Sequence, residues 1–213
     1  MTLKFLKPLV HCALLATFSP WVGAKMITPT DIQSASTFRT YDAKNLINGS
    51  GLTGMAHDTN FSNMWMSQEN QTTTALIFDL GKLIDLAGAY VWNYNANCCS
   101  AGRGVQNFNI LTSTDGTSFS STLNATLTKQ GNGSDPIAAE FIPFKKNARY
   151  VKFDIINNFG ASYVGLSEVK FEEGPKMGFA EAPPVPEPHT VALLALSLLG
   201  MYSTRNHKTT KPI

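Results

Sequence analysis

Alternation with a period of two runs through the middle of the chain. Thr74, Leu76, Phe78 and Leu80 alternate with their neighbours up to Gly81. Phe108, Ile110 and Thr112 do the same up to Asp115-Gly116, and Val151, Phe153 and Ile155 do so after Arg149-Tyr150. Alternation of this kind places every second side chain on one face of a strand and predicts half-buried β-strands. Ala89 to Tyr94 is rich in the aromatic and β-branched residues that strands favour. Val169 and Phe171 mark one face of a last strand that leads out to Glu172-Glu173-Gly174. Asp115-Gly116 is a hairpin-turn signal, and Pro136 and Pro143, each lacking an amide hydrogen, bracket an edge strand. There is no helix-length apolar stripe and no internal repeat. Short strands punctuated by turns predict an all-β chain folded as an antiparallel β-sandwich of the jelly-roll kind.

Both ends depart from this pattern. Lys4 and Lys7, the apolar run Leu9 to Phe18 and the small residues Val22-Gly23-Ala24 read as a secretory signal peptide over residues 1–24, with Lys25 as the new N-terminus. At the other end, Pro183, Pro184, Pro186 and Pro188 precede an apolar run from Val191 to Met201 and a tail with Arg205, Lys208 and Lys211. As a helix that run spans only about 16 Å, against a hydrocarbon core of roughly 30 Å. The basic residues would hold its end on the cytoplasmic side. A weak span entered through Pro186-Glu187-Pro188 resembles the PEP-CTERM sorting signal. The resemblance implies processing by an exosortase-type enzyme and transient insertion into the inner membrane. It also implies export to the cell envelope, outer surface or extracellular matrix of a Gram-negative bacterium. The tail departs from the usual run of arginines, with Arg205-Asn206-His207-Lys208 in its place; the alternative is a plain C-terminal membrane anchor. The chain thus divides into a signal peptide (1–24), one domain (25–180) and a sorting segment (181–213).

Removing the two ends changes the charge. Of 17 basic residues 12 lie in 25–180, and of 15 acidic residues 13 do, so a chain that is formally +2 leaves a domain of about −1. Nothing in that balance attracts nucleic acid. Two cysteines remain, Cys98 and Cys99, which in an oxidising compartment either close a vicinal disulfide or stay as free or intermolecular thiols. No nucleophile elbow, zinc-protease motif or phosphate loop is present. His57 is the one histidine of the domain, and nothing in the sequence places it beside either cysteine. The reading is therefore a non-enzyme.

Five motifs in order carry a family resemblance: Phe78-Asp79-Leu80-Gly81-Lys82, Val91-Trp92-Asn93-Tyr94, Arg103-Gly104-Val105-Gln106-Asn107-Phe108, Thr112-Ser113-Thr114-Asp115-Gly116, and Ala148-Arg149-Tyr150-Val151-Lys152-Phe153 followed by Gly165-Leu166-Ser167-Glu168-Val169. Together they resemble the discoidin, or coagulation factor V/VIII C-type, domain of the galactose-binding-like jelly rolls, over about Asn45 to Glu172. The resemblance implies a non-catalytic module that binds carbohydrates, lipids or proteins.

It also implies a structural calcium ion, held by the carbonyls of Asn45 and Ser50, the side chain of Asn48, Asp58 or Thr59, the carbonyl of Ser167 and Glu168. Asn48 stands where the family usually has Asp. The alternative there is a glycine turn stabilised by Asn48, with Glu168 exposed. Ligand contacts are expected from loops at one end of the sandwich: His57 with Met64-Trp65-Met66, Asn95 to Arg103, and Asn157 to Tyr163. Aromatic platforms would come from Trp65, Tyr94, Phe159 and Tyr163, and planar polar groups from Asn95, Asn97, Arg103, Asn157 and Asn158. Cys98-Cys99 would form an apolar knob. Trp65 and His57 also read as core residues, and Arg103 as a loop pin. The functional expectation is an exported, calcium-supported binder of carbohydrate, with the cell's own exopolysaccharide as the expected ligand. The alternative is a structural or adhesive matrix protein that binds other proteins.

Overall fold

The computed structural model describes residues 25–131 and 133–175. The expected signal peptide, the Pro186-Glu187-Pro188 sorting segment and the tail of the expected domain lie outside them. Eleven strands follow one another: β1 (Lys25–Ile27), β2 (Asp31–Ser34), β3 (Leu52–Thr53), β4 (Ala56–His57), β5 (Trp65–Met66), β6 (Thr74–Asn93), β7 (Val105–Ser113), β8 (Ser120–Thr126), β9 (Ile137–Ala138), β10 (Glu140–Asn158) and β11 (Gly165–Glu173). Three short 3-10 turns, Ala43–Leu46, Phe61–Asn63 and Ala101–Arg103, are the helical elements among the described residues.

Two strands are much longer than alternation alone suggests. The runs Thr74–Leu80 and Ala89–Asn93 belong to one 20-residue strand, β6, and β10 has 19 residues. Each passes from one layer of the sandwich to the other. The first half of β6 pairs with β2 and with Tyr150–Ile155 of β10, which pairs in turn with β7, and β7 with β8. The second half of β6 pairs with Glu140–Ala148 and with β11, which carries β1 and β5 on its other side. The layer change falls at a break in register. Gly81 takes φ +78° there, a conformation that favours glycine, and the β6–β10 pairing skips Arg149. Arg149 Nε and Nη2 donate to the two carboxylate oxygens of Asp79 at 2.9 Å each, a fork that pins the corner. This partner holds the Asp79 carboxyl below the usual carboxylate range.

The alternating residues meet between the layers. Phe78, Phe108, Phe153 and Phe171 are buried, with Phe78 against Phe171 at 5.6 Å and Phe153 against Phe171 at 6.3 Å between ring centres. Pro143 lies in the part of β10 that pairs only with β6, the edge position its missing amide hydrogen requires. Asp115-Gly116 does sit in a hairpin loop, but a six-residue one over 114–119, braced by Asp115 Oδ1 accepting from the Thr117 and Ser118 amides at 2.8 Å.

A small satellite core adjoins the main one. Met64, Met66, Tyr94 and Ala96 form it, with Phe38, Tyr41, Cys99 and Tyr163 packed against them. Gly165, at the start of β11, leaves room for it, since a Cβ there would lie 2.5 Å from the Tyr94 ring and 2.7 Å from the Trp65 carbonyl. Neither neighbour is the loose end of a flexible side chain. Gly165→Ala is therefore expected to lower unfolding stability by about 1–3 kcal/mol through overpacking, read from the urea midpoint at unchanged slope.

Candidate functional site

An open cleft of about 380 Å³ lies where three loops meet at one end of the sandwich. Ser100, Gly102 and Arg103 come from the turn before β7, Phe159 to Tyr163 from the β10–β11 loop, and Lys129 from the segment after β8. The first two loops are tied together, because the Phe159 amide donates to the Gly102 carbonyl at 3.0 Å. Ser100 caps its own turn by accepting from the Gly102 amide at 3.1 Å. The Arg103 guanidinium lies 4.8 Å over the Tyr163 ring, and its Nη1 reaches the Met66 sulfur at 3.4 Å. The cleft therefore combines a stacked cation, an aromatic wall and hydroxyl groups.

Of the residues expected to face a ligand, Arg103, Phe159 and Tyr163 line this cleft. Trp65, Tyr94 and Asn95 do not face solvent, being 0, 0 and 1% exposed, and the expectation that they touch ligand is corrected on that ground. Trp65 packs in the main core and donates its ring N–H to the Ser36 carbonyl at 3.0 Å. Tyr94 belongs to the satellite core, where burial raises its hydroxyl pKa and nearby Arg103 opposes the rise. Asn95 is a loop peg: its Nδ2 donates to the Asp135 carbonyl at 2.7 Å, and its Oδ1 accepts from the Gly133 amide at 3.0 Å.

Asn158 is corrected likewise. It is buried, donates to the carbonyls of Ala161 and Tyr163, and accepts from the Gly160 amide, so it shapes the cleft loop from within. Asn157 fills a bulge, accepting from the Asn107 amide at 3.0 Å. Cys98 and Cys99 are bonded to each other. Cys98 is exposed, Cys99 packs on the satellite core, and Asn97 is exposed beside them, next to the cleft rather than lining it. His57 is buried, with Nδ1 3.0 Å from the Asp58 carbonyl. Ser100 and Ser162 line the cleft from the expected loops, and Lys129 lines it from a segment outside them. A signal for Lys129 did exist: it is the one basic residue between Arg103 and Lys145, and it precedes the glycine-rich Gly131-Asn132-Gly133.

One of the residues expected to hold calcium is an anomaly. Glu168 is 0% exposed, and neither carboxylate oxygen has a hydrogen-bond partner. It sits opposite Trp92 on the outer face of its layer, which the segment around residues 45–58 covers; Trp92 donates to the Met55 carbonyl at 3.0 Å. Desolvation lifts the Glu168 pKa to about 7, against smaller opposing effects of Lys170 and the Gly49 amide. The expectation of an exposed Glu168 beside a simple turn is thereby corrected. Asn48 does make that turn, its Oδ1 accepting from the Ser50 amide at 2.8 Å and the Ser50 hydroxyl at 2.6 Å.

Asn45 donates to the carbonyls of Ser62 and Met64, and Asp58 accepts from the Asn60 amide and the Asn63 side chain. Ser167 is buried, its hydroxyl donating to the Asn93 carbonyl at 2.8 Å. Among the described residues no three His, Cys, Asp or Glu side chains come together, so a cation here would draw mainly on carbonyls and on Glu168. An orphaned, buried carboxylate beside a glycine turn fits such an ion.

Two antiparallel layers share long bent strands, and a loop-lined cleft lies at one end of them. Residues 31–169 match the F5/8 type C domain, and the chain belongs to that family. Residues 184–208 match the PEP-CTERM protein-sorting motif, which implies export to the bacterial surface or beyond. Among solved structures, the chain is similar to the CBM32 module of AlyQ in complex with 4,5-unsaturated mannuronic acid, at 20% identity and TM-score 0.53 over 69% of this chain and 97% of that one. It is also similar to the family 32 module of NanJ from Clostridium perfringens in complex with galactose, at 14% identity and TM-score 0.52 over 70% of this chain and 93% of that one. A third similar structure is a CBM32 module from a family 31 glycoside hydrolase of the same species, at 19% identity and TM-score 0.54 over 70% of this chain and 92% of that one. These likenesses show a shared antiparallel β-sandwich fold, and the similar structures include modules that are parts of enzymes. The comparison with curated proteins gives no match.

Proposed function

We propose that this protein is an exported, non-catalytic carbohydrate-binding module. It would be processed by an exosortase-type enzyme after transient insertion in the inner membrane of a Gram-negative bacterium, and would hold exopolysaccharide at the envelope or in the extracellular matrix. The observation that carries the reading is the loop cleft. Arg103 is stacked on Tyr163, Phe159 adds a second aromatic, and Ser100, Ser162 and glycine backbone supply short polar contacts. Sugars present apolar ring faces and close-spaced hydroxyls, which such walls and planar donors match. The bound partners of the similar modules, galactose and an unsaturated mannuronic acid, are of the same class. Pairing of Cys98 with Cys99 within the chain supports this reading over an adhesive one built on an interchain bridge.

Calcium belongs to the proposal as an organiser. The carbonyls of Asn45, Ser50 and Ser167, the side chains of Asn48 and Asp58, and Glu168 would hold it. It would supply the positive charge that the buried carboxylate lacks and tie the 45–58 segment to β11. A glycan array and native-polysaccharide binding, each with calcium and with EDTA, test both parts. Binding lost in EDTA supports a calcium-organised module; binding indifferent to EDTA keeps the glycan and removes the metal. A folded protein that binds no glycan overturns the reading in favour of an adhesive matrix protein.

A further inference from the structure

The cleft carries a charge pattern that a neutral sugar does not need. Two of its lining residues, Arg103 and Lys129, are cations, and no carboxylate lines it. Arg103 is half-buried, yet its side-chain neighbours are the Met66 thioether, the Tyr163 ring and the neutral Tyr94 hydroxyl, and none of the ion pairs among the described residues includes it. Lys129 has neither an ion-pair nor a hydrogen-bond partner there. The Glu140 carboxylate accepts from the flanking Thr128 amide and hydroxyl and the Gln130 side chain at 2.9–3.1 Å and is not part of the cleft lining.

The segment that carries Lys129 is also held in place. Buried Asn95 clamps it downstream through Asp135 and Gly133, and the Asn93 side chain holds the Thr128 carbonyl at 3.0 Å upstream. Gly131, at φ +58°, passes so close over Asn95 that no side chain fits there. Among the described residues, the fold therefore presents two cations from separate loops to one concavity and pairs neither with a carboxylate. A partly desolvated guanidinium gains most from a planar or tetrahedral oxyanion that accepts two parallel N–H bonds.

We infer that the cleft selects a sugar bearing an anionic oxyacid group, a uronate carboxylate or a sulfate ester, seated between Arg103 and Lys129 beside the Phe159–Tyr163 wall. This rests on the glycan-binding reading above and narrows it to acidic polysaccharides. The test is calorimetric titration of the full chain with galacturonan and mannuronan oligosaccharides, with the same oligosaccharides after reduction of each carboxyl to an alcohol, and with a sulfated galactan.

An acidic form should bind roughly tenfold more tightly than its reduced counterpart, the difference between a charged and a neutral hydrogen bond. That ratio should shrink in high salt. It should collapse in Lys129→Gln and invert in Lys129→Glu, both substitutions at an exposed position. Preference for the sulfated galactan over the uronates would identify the oxyanion as sulfate. Equal binding of acidic and reduced forms overturns the inference and leaves the glycan reading standing. An acid preference untouched by Lys129→Gln removes Lys129 from it, and absence of binding to every oligosaccharide removes both readings.

Discussion

Glu168→Gln should make the calcium-free protein more stable above neutral pH and leave it unchanged in acid. The sign follows from the direction of the shift. The carboxyl titrates near 4.5 in the unfolded chain and at about 7 in the folded one, so between those values the folded state binds the extra proton. Stability from this group is therefore highest below pH 4.5 and is lost as pH rises to about 7. Above that, the buried charge costs up to about 3 kcal/mol, from roughly 1.4 kcal/mol per pKa unit. For a domain of this size that corresponds to about 6–12 °C in Tm. Thermal melts in EDTA at acidic and alkaline pH measure it. Calcium should flatten the pH dependence of the parent and leave Glu168→Gln unmoved. A parent that is equally stable in acid and base without metal would show that Glu168 is not desolvated as described.

Arg103→Ala should abolish most ligand binding while sparing the fold. Arg103 supplies the cleft's planar donor and covers the Tyr163 ring. Loss of a charged hydrogen-bonding group costs about 1.5–3 kcal/mol, or roughly 10–150-fold in Kd. The side chain also fills space over Met66 and Tyr163. Arg103→Lys separates the roles, since it keeps the charge and much of the volume but loses the bidentate fork. Titration with the tightest ligand from the array, alongside a melting curve, is the measurement. Wild-type affinity in Arg103→Ala would reduce Arg103 to the loop pin that its position before Gly104 also allows.

The motifs were readable because their residues hold one another. Asp79 and Arg149 come from separate blocks, and they form the fork at the corner where β6 and β10 change layers. Asn93 uses its side chain to bind the carbonyls of Val105 and Thr128 and the amide of Tyr94, and Gly104 leaves room for it, since a Cβ there would lie 2.7 Å from Asn93 Oδ1. Such residues can be read as motifs because the framework needs them together. The cleft follows no such order. Trp65, Tyr94, Asn95 and Asn158 have the chemistry of a sugar site and are buried beneath it, while Lys129, from a loop that carries no motif, lines it.

What the sequence determined by itself is the layered β architecture and the sorting motif recognised near its C-terminal end. Alternation and neighbouring turn residues encode these locally, through which face of a strand meets water. What the tertiary structure alone decided is which polar and aromatic groups remain accessible. Glu168 lies on the outer face of its layer and is dry only because the distant 45–58 segment folds over it. Arg103 and Lys129, 26 positions apart, share a cleft because buried Asn93 and Asn95 hold the loop after β8 down beside it. Burial and convergence arise from contacts far apart in the chain, and no local pattern records them.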